Sequence, residues 1–107
     1  MLFRSKAKDL YLRGANLGSS HCHYCLAGIL KREDKPKEAF QHYKTAAEMG
    51  HGNAMYSLAH CYKDAYGTEA DDNMYVYWLK ETCKTSYYLK DKAKSELRKL
   101  GVSIDGK

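Results

Sequence analysis

The sequence predicts an all-α fold, an α-solenoid of antiparallel helix hairpins with about two repeats and flanking capping helices. Three observations lead to this prediction. Apolar and small residues recur at the spacing of one helix face, similar segments return after roughly the length of one hairpin, and glycine follows the periodic segments. The chain has a single proline, Pro36, which favours long helices joined by short turns.

One kind of segment occurs three times along the chain. Alignment on one residue of each copy, Tyr11, Tyr43 and Leu79, gives separations of 32 and 36 residues. Such a period is typical of stacked helix hairpins, and the apolar and small residues within each copy follow one helix face. We therefore predict that each copy forms a helix. The three copies are residues 7–18, 39–50 and 75–86.

Residues that end helices follow these segments. Gly18 and Gly50 stand just beyond the last periodic residue, where a left-handed cap favours a residue without Cβ. Ser86 takes the place of that glycine in the third copy. Near the C-terminus, a charged amphipathic segment stops at Gly101 and predicts a capping helix over 88–100. Its polar outer face is what a terminal repeat requires.

A second kind of helix lies between copies of the first. It is represented by residues 22–30 and 54–62, which align at an offset of 32 residues. The alternation of small and large residues in both copies suits close packing of one helix on another. The matched pairs are Tyr24 with Tyr56, Leu26 with Leu58, and Ala27 with Ala59.

The order of these residues within a hairpin identifies a family resemblance. The second hairpin carries Ala54, Leu58, Ala59, Tyr62, Tyr66-Gly67, Asp71 and Trp78, and the first carries Ala39, Tyr43, Ala46, Ala47 and Gly50. This pattern resembles the Sel-one-like repeat, which is related to the tetratricopeptide repeat, over about residues 7–86. The pattern departs from the family at Tyr75, where alanine is usual, and at Thr82-Cys83, where two alanines are usual.

The resemblance implies one helical repeat domain over residues 1–107. We expect an N-terminal helix over 3–17, repeat 1 over about 19–50, repeat 2 over about 51–86, and then the capping helix. It also implies a binding surface for another protein, on an extended and rigid curved frame.

The net charge of +5 is unevenly distributed. Residues 1–13 and 84–99 are basic, whereas acidic residues outnumber basic ones between Ala39 and Cys83. A nucleic-acid-binding protein usually gathers its positive charge on one face or stripe. Two basic ends around an acidic middle therefore do not favour nucleic acid as the partner.

The sequence predicts neither a membrane protein nor a secreted one. No stretch approaches the ~20 apolar residues that span a bilayer. Residues 1–8 become charged at once and lack the apolar core of a signal peptide. The four cysteines, Cys22, Cys25, Cys61 and Cys83, are expected to be free thiols in a reducing compartment. We expect a cytoplasmic protein.

The cluster from His21 to Cys25 is the strongest candidate for metal chemistry. Its four Cys and His side chains suit zinc, but structural zinc sites usually draw a second ligand pair from a separate segment, and none of recognised spacing exists. Cys22 aligns with Ala54 and Cys25 with Ser57, so both cysteines are explained as small packing residues. We therefore expect no metal and no cofactor.

Catalytic chemistry is not expected either. A redox role for Cys22 and Cys25 would require the strand that precedes such a pair in thioredoxin-like proteins, and no strand is predicted here. No pattern brings a nucleophile, a base and an orienting acid together. By resemblance, some Sel-one-like proteins join the helices of a hairpin by a disulfide, which here would pair Cys61 with Cys83 in an exported protein. We predict that the protein is not an enzyme.

The ten tyrosines include candidates for a binding surface. Tyr11, Tyr43 and Tyr62 are explained as core residues of the repeat. Tyr24 and Tyr56 precede the core leucines by two residues, on the side that lines the groove of related solenoids, and tyrosine is favoured at interfaces. The predicted partner-binding residues are Tyr24, Tyr56, His23, His60 and Lys63.

The sequence thus predicts a protein–protein interaction module that docks its partner in the groove lined by the first helices of the repeats. By resemblance the role is that of an adaptor, or of an inhibitor or immunity-type binder of a cognate protein. The alternative is a binder of nucleic acid or an anionic surface through the basic terminal helices, with affinity that falls steeply with salt. A metal-dependent module centred on residues 21–25 is a third hypothesis. Small-molecule binding is not expected.

Overall fold

The computed structural model describes residues 6–102 and contains helices but no strand in that range. The all-α prediction is therefore confirmed. Residues 3–5 of the predicted N-terminal helix lie outside the described range, and the last helix begins at Lys90 instead of residue 88. The helices are α1 Lys6–Asn16, α2 Ser20–Arg32, α3 Pro36–Glu48, α4 Gly52–Asp64, α5 Asp72–Thr85 and α6 Lys90–Lys99.

The helices stack in chain order. The most extensive contacts are within the pairs α2–α3 and α4–α5, and α1 and α6 pack on α2 and α5 at the two ends. The resulting molecule is elongated, with extents of 52 × 25 × 17 Å. A stack in which each element contacts mainly its chain neighbours is a solenoid, so the predicted α-solenoid is also confirmed.

Side chains at the helix starts satisfy backbone N–H groups that have no partner within the helix. Ser19 accepts a hydrogen bond from the Cys22 backbone N–H, which begins α2. Asp71 begins α5 in the same way, with its Oδ1 3.1 Å from the Met74 nitrogen. At α4 the acceptor is Nδ1 of His51, 3.2 Å from the nitrogen of Ala54.

The helix ends follow the predicted stop residues. Gly18 has a φ of +93° and Gly50 a φ of +95°, so both adopt the left-handed conformation expected of C-terminal caps. Ser86 instead has a φ of −98° and extended backbone, and its hydroxyl accepts from the Leu89 backbone N–H at 3.0 Å. The third copy therefore ends by a different local structure because serine replaces the glycine.

A single core runs through the stack. Leu58, Leu79 and Leu97 are fully buried, and the small residues of the repeats lie where helices approach one another. None of the described helices combines the length and apolar character needed to cross a bilayer. The fully buried alanines are Ala27, Ala39, Ala46, Ala54, Ala59 and Ala93.

Candidate functional site

A cavity of about 430 Å³ opens between α2 and α4, the first helices of the two repeats. We call it the inner groove. Tyr43 of α3 contributes to its wall, and the residues just after α4 close one end. The lining residues are Lys31, Tyr43, Tyr56, Ser57, His60, Cys61, Asp64, Ala65 and Tyr66.

Two tyrosines form much of the apolar wall of the inner groove. Tyr43 is only 6% exposed, and its burial raises the pKa of the phenol to about 12, so the hydroxyl stays neutral. Tyr66 has a buried hydroxyl oxygen without a hydrogen-bond partner among residues 6–102. A buried polar group without a partner is energetically unfavourable.

The groove also has charged and polar groups at its edges. The Lys31 ammonium lies 5.6 Å from the centre of the Tyr66 ring and is favourably placed over it. Asp64 provides a carboxylate and Ser57 a hydroxyl on the α4 side. An apolar wall with a few polar groups is typical of ligand-binding sites in general.

Tyr56 and His60 lie side by side on α4, with their ring centres 4.7 Å apart. Both contact Glu96 of α6. The Tyr56 hydroxyl donates to Oε2 of Glu96, and Nε2 of His60 lies 3.0 Å from Oε1 of the same carboxylate. Tyr75 of α5 donates its hydroxyl to Oε1 at 2.6 Å. Three helices thus meet at one carboxylate.

The electrostatics of this Glu96 cluster follow from the shared hydrogen bonds. Burial by itself would raise the pKa of Glu96, but the hydrogen bonds from Tyr56 and Tyr75, together with His60, lower it below its ordinary value. Burial first, and then the carboxylate, raise the pKa of Tyr56 to about 12. The Tyr56 hydroxyl already donates its hydrogen bond to Glu96, so only the ring is available for contact with a partner.

Comparison with known structures gives the context of this site. No protein-family model matches the chain, and no curated protein sequence matches it. A solved structure does: the crystal structure of a Sel1 repeat protein from Oxalobacter formigenes is 32% identical in sequence and superposes with a TM-score of 0.78 over 88% of this chain. The chain has the Sel1-like repeat fold. It spans 39% of the length of that protein.

The inner groove of this Sel1-like chain includes two of the five predicted partner-binding residues, Tyr56 and His60. Tyr24 lies beside it, with its ring 5.9 Å from that of Tyr43 and 4.8 Å from that of His51, on which it stacks. Lys63 is exposed on α4, with its ammonium 5.7 Å from the centre of the Tyr75 ring.

His23 is in a different environment. Its Nδ1 lies 2.9 Å from Nδ1 of His42, and the two rings stack with centres 5.1 Å apart. Burial and the charge of His23 lower the pKa of His42, which favours the neutral ring. The structure therefore places His23 in a contact between α2 and α3, separate from the residues that line the inner groove.

Sequence reasoning missed several residues of the inner groove. Lys31 is seven residues after Tyr24, and this helical spacing could have placed the two on one face of α2. Tyr43 was assigned to the core, and it is indeed buried while also facing the cavity. No local signal distinguishes Glu96 from the other charged residues of α6, since its partners are 21 to 40 residues away in the chain.

Thiols and imidazoles are present in the described part of this Sel1-like chain without forming a metal centre. Among residues 6–102, no three His, Cys, Asp or Glu side chains come together in a way that could hold a metal ion. The four cysteines are free thiols, including Cys61 and Cys83. Burial raises the pKa of Cys61 to about 11, so this groove-lining thiol is a weak nucleophile at neutral pH.

Replacing Glu96 with glutamine is expected to lower the free energy of unfolding at pH 7 by about 2 kcal/mol, because two phenols and an imidazole lose a charged acceptor. The pKa of Glu96 is lower in the folded chain than its ordinary value of 4.5. The stability it contributes is therefore present above about pH 4.5 and is lost as the pH falls through the lower folded-state value. Urea unfolding from pH 6 to pH 3 should show a smaller acid-induced loss in Glu96→Gln than in the wild type.

The control for this prediction is Glu69→Gln, which removes an exposed carboxylate in the loop before α5. We expect its stability and its pH dependence to match the wild type. An acid-induced loss of stability of equal size in Glu96→Gln and the wild type would contradict the assigned role of Glu96.

Proposed function

We propose that this chain is a protein–protein interaction module that binds a segment of another protein in the inner groove. The observation that carries the proposal is the groove itself, a cavity on the first helices of both repeats with an aromatic wall and flanking charges. Tyrosines are favoured at sites that contribute most to binding energy. Tyr56, His60 and Lys63, with Tyr24 at the edge, remain the proposed contact residues, and Lys31 and Tyr66 join them.

The two proposed roles, inhibitor and adaptor, differ in the number of partners that the chain binds. An inhibitor or immunity-type protein needs one partner, whose active surface it covers. An adaptor needs a second surface that stays free when the groove is occupied. Leu10 of α1, which is 60% exposed, and Leu17 just after this helix, which is 83% exposed, offer one. Four free thiols suit a reducing compartment, so we propose the cytoplasm as the location.

The distribution of charge supports a protein partner over nucleic acid. The basic segments include most of α1 and all of α6, the first and last helices that the structure describes in a stack 52 Å long. Positive charge is therefore divided between two ends, whereas phosphate contacts require a continuous basic face. The alternative function, binding of an anionic polymer or surface through these helices, predicts a steep salt dependence that the inner groove does not predict.

The test fills the groove without removing a core residue. Ser57→Trp places a bulky side chain in the cavity, and Lys31→Glu reverses the charge at its edge. Both positions lie outside the buried core. We expect each change to reduce recovery of the protein partner from native lysate by about tenfold or more at moderate salt. Quantitative mass spectrometry of the bound proteins measures this.

Matched controls place the same changes elsewhere. Gln41→Trp and Lys37→Glu lie at exposed positions of α3 that do not line the groove, and we expect them to bind like the wild type. A protein partner retained by all four variants would contradict docking in the inner groove. Recovery of nucleic acid that is released by salt and unaffected by Ser57→Trp would support the alternative function.

A further inference from the structure

The start of α4 depends on a histidine. His51 stands just before this helix, and its Nδ1 accepts a hydrogen bond from the backbone N–H of Ala54 at a distance of 3.2 Å. Ala54 is fully buried, so its N–H group needs an acceptor within the protein. An imidazole accepts at Nδ1 only while that nitrogen carries no proton. The hydrogen bond therefore requires the neutral form of the His51 ring.

The equivalent position in the first repeat carries a residue with a different acceptor. The offset of 32 residues pairs His51 with Ser19, whose hydroxyl accepts from the backbone N–H of Cys22 at 3.2 Å. The backbone is extended at both positions, with a φ of −85° at Ser19 and −80° at His51. The two caps have the same geometry, but the imidazole loses its acceptor nitrogen on taking up a proton in mild acid, whereas a hydroxyl does not.

The surroundings of His51 disfavour a protonated ring. From α2, the His21 ring lies with its centre 5.7 Å away, and the Tyr24 ring stacks on the imidazole at 4.8 Å. The segment after α5 shares a cleft with His51 and contributes the phenols of Tyr87 and Tyr88, and no described residue that lines this cleft has a carboxylate. Burial first, and then the charge of His21, lower the pKa of His51, and no acidic side chain among residues 6–102 offsets this shift.

A proton on His51 would have two further consequences at α4. The Ala54 N–H would lose its acceptor, and a positive charge would stand at the end of the helix where the backbone dipoles are already positive. We propose that His51 is a pH-sensitive cap, which holds the first turn of α4 in place at neutral pH and releases it in mild acid. Because α4 carries Tyr56 and Ser57, the release acts on a helix that lines the inner groove. Its effect on a partner rests on the proposed function, whereas the cap itself is tested without a partner.

The direction of the pH dependence follows from the lowered pKa of His51, whose ordinary value is 6.5. The stability that the neutral cap contributes is complete above about pH 6.5 and is lost as the pH falls through the lower folded-state value. The contribution of Glu96 is lost only below about pH 4.5, so the two effects occur in different pH ranges.

The experiment measures amide hydrogen exchange of the whole chain by NMR at pH 7.5 and pH 5.5. Each rate is divided by the rate for an unstructured peptide at the same pH, which gives a protection factor. We expect protection of the Ala54 amide to fall by about fivefold on acidification, the equivalent of one lost cap. In His51→Ser, which copies the cap of the first repeat, and in His51→Asn, protection of Ala54 should be the same at both pH values.

Two controls separate the cap from a general loosening of the fold. The Cys22 amide, which donates to the Ser19 hydroxyl, should keep its protection in the same samples. His42→Gln removes another histidine whose pKa is lowered, one that contacts His23, and should leave the loss at Ala54 unchanged. Constant protection of Ala54 in the wild type would overturn the proposal. An equal loss in His51→Ser, or at Cys22, would overturn it as well.

The titration of the ring itself is the second measurement. The NMR signals of the His51 ring and of the Ala54 amide should change with the same midpoint, below pH 6.5. In His51→Ser the change at Ala54 should be absent. Different midpoints for the ring and the amide would show that another group controls the start of α4.

Discussion

Replacing Gly67 with alanine is expected to lower the free energy of unfolding by about 3 kcal/mol. Gly67 has a φ of +73°, a conformation that disfavours side chains with a Cβ. A Cβ at this position would also lie 2.2 Å from the carbonyl oxygen of Pro36 and 2.7 Å from Cβ of Phe40. The loop after α4 contacts the start of α3 there, so the two repeats would have to separate locally.

A control with nearly the same backbone conformation isolates the steric part of this effect. Gly101 has a φ of +74°, but among residues 6–102 no other group lies within 4 Å of its ideal Cβ position. Gly101→Ala should therefore lower the free energy of unfolding by only about 1 kcal/mol, the cost of holding a residue with a Cβ in the left-handed conformation. Urea unfolding followed by circular dichroism measures both variants. Equal losses for Gly67→Ala and Gly101→Ala would show that contact with Pro36 does not matter.

The Gly67 prediction extends to the inner groove. Tyr66 precedes Gly67 directly and lines the cavity, while its ring lies under the Lys31 ammonium. A shift of the loop that relieves the contact with Pro36 would move this ring. We therefore expect Gly67→Ala to weaken partner binding as well as stability, whereas Gly101→Ala leaves binding unchanged.

Leu58→Ala is expected to destabilise the chain by about 3 kcal/mol, the typical result when a buried leucine is truncated and leaves a cavity. Leu58 is fully buried on α4, the helix that packs against both α3 and α5. A cavity at this position therefore weakens the contact within repeat 2 and the contact between the repeats. Urea unfolding at pH 7 measures the loss of stability.

The matched control is Leu10→Ala on α1, where the leucine is 60% exposed. Its truncation should change the free energy of unfolding by less than about 0.5 kcal/mol, since little buried surface is lost. If the two leucine variants lost similar amounts of stability, the assignment of the core to the centre of the stack would be wrong.

Much of the local structure follows from the sequence because it depends on neighbouring residues. The periodic small and apolar residues determine which face of each helix packs inward, as Leu26 and Leu58 show in the two repeats. Gly18 and Gly50 end their helices in the conformation that a missing Cβ allows. The match of the two hairpins at an offset of 32 residues predicted a solenoid because similar sequences form similar units that stack.

The tertiary structure decided what the inward and groove-facing residues contact. The same helical pattern that placed Tyr24 and Tyr56 at equivalent positions led to different partners, His51 for one and Glu96 for the other. His51 directly precedes α4, whereas Glu96 lies on α6, which is not a copy of α4 in sequence. Likewise His23 was predicted to share a partner-binding surface with His60, and in the structure it contacts His42 of its own hairpin.

The inner groove and the Glu96 cluster have the same origin. Each joins residues from separate elements, such as Lys31 with Tyr66 or Tyr56 with Glu96, and no spacing along the chain encodes those pairs. By itself, the sequence determined the helices, their caps and the order in which they stack. Only the tertiary structure decided which side chains share a cavity or a hydrogen bond, because that depends on the angle and distance at which packed helices meet.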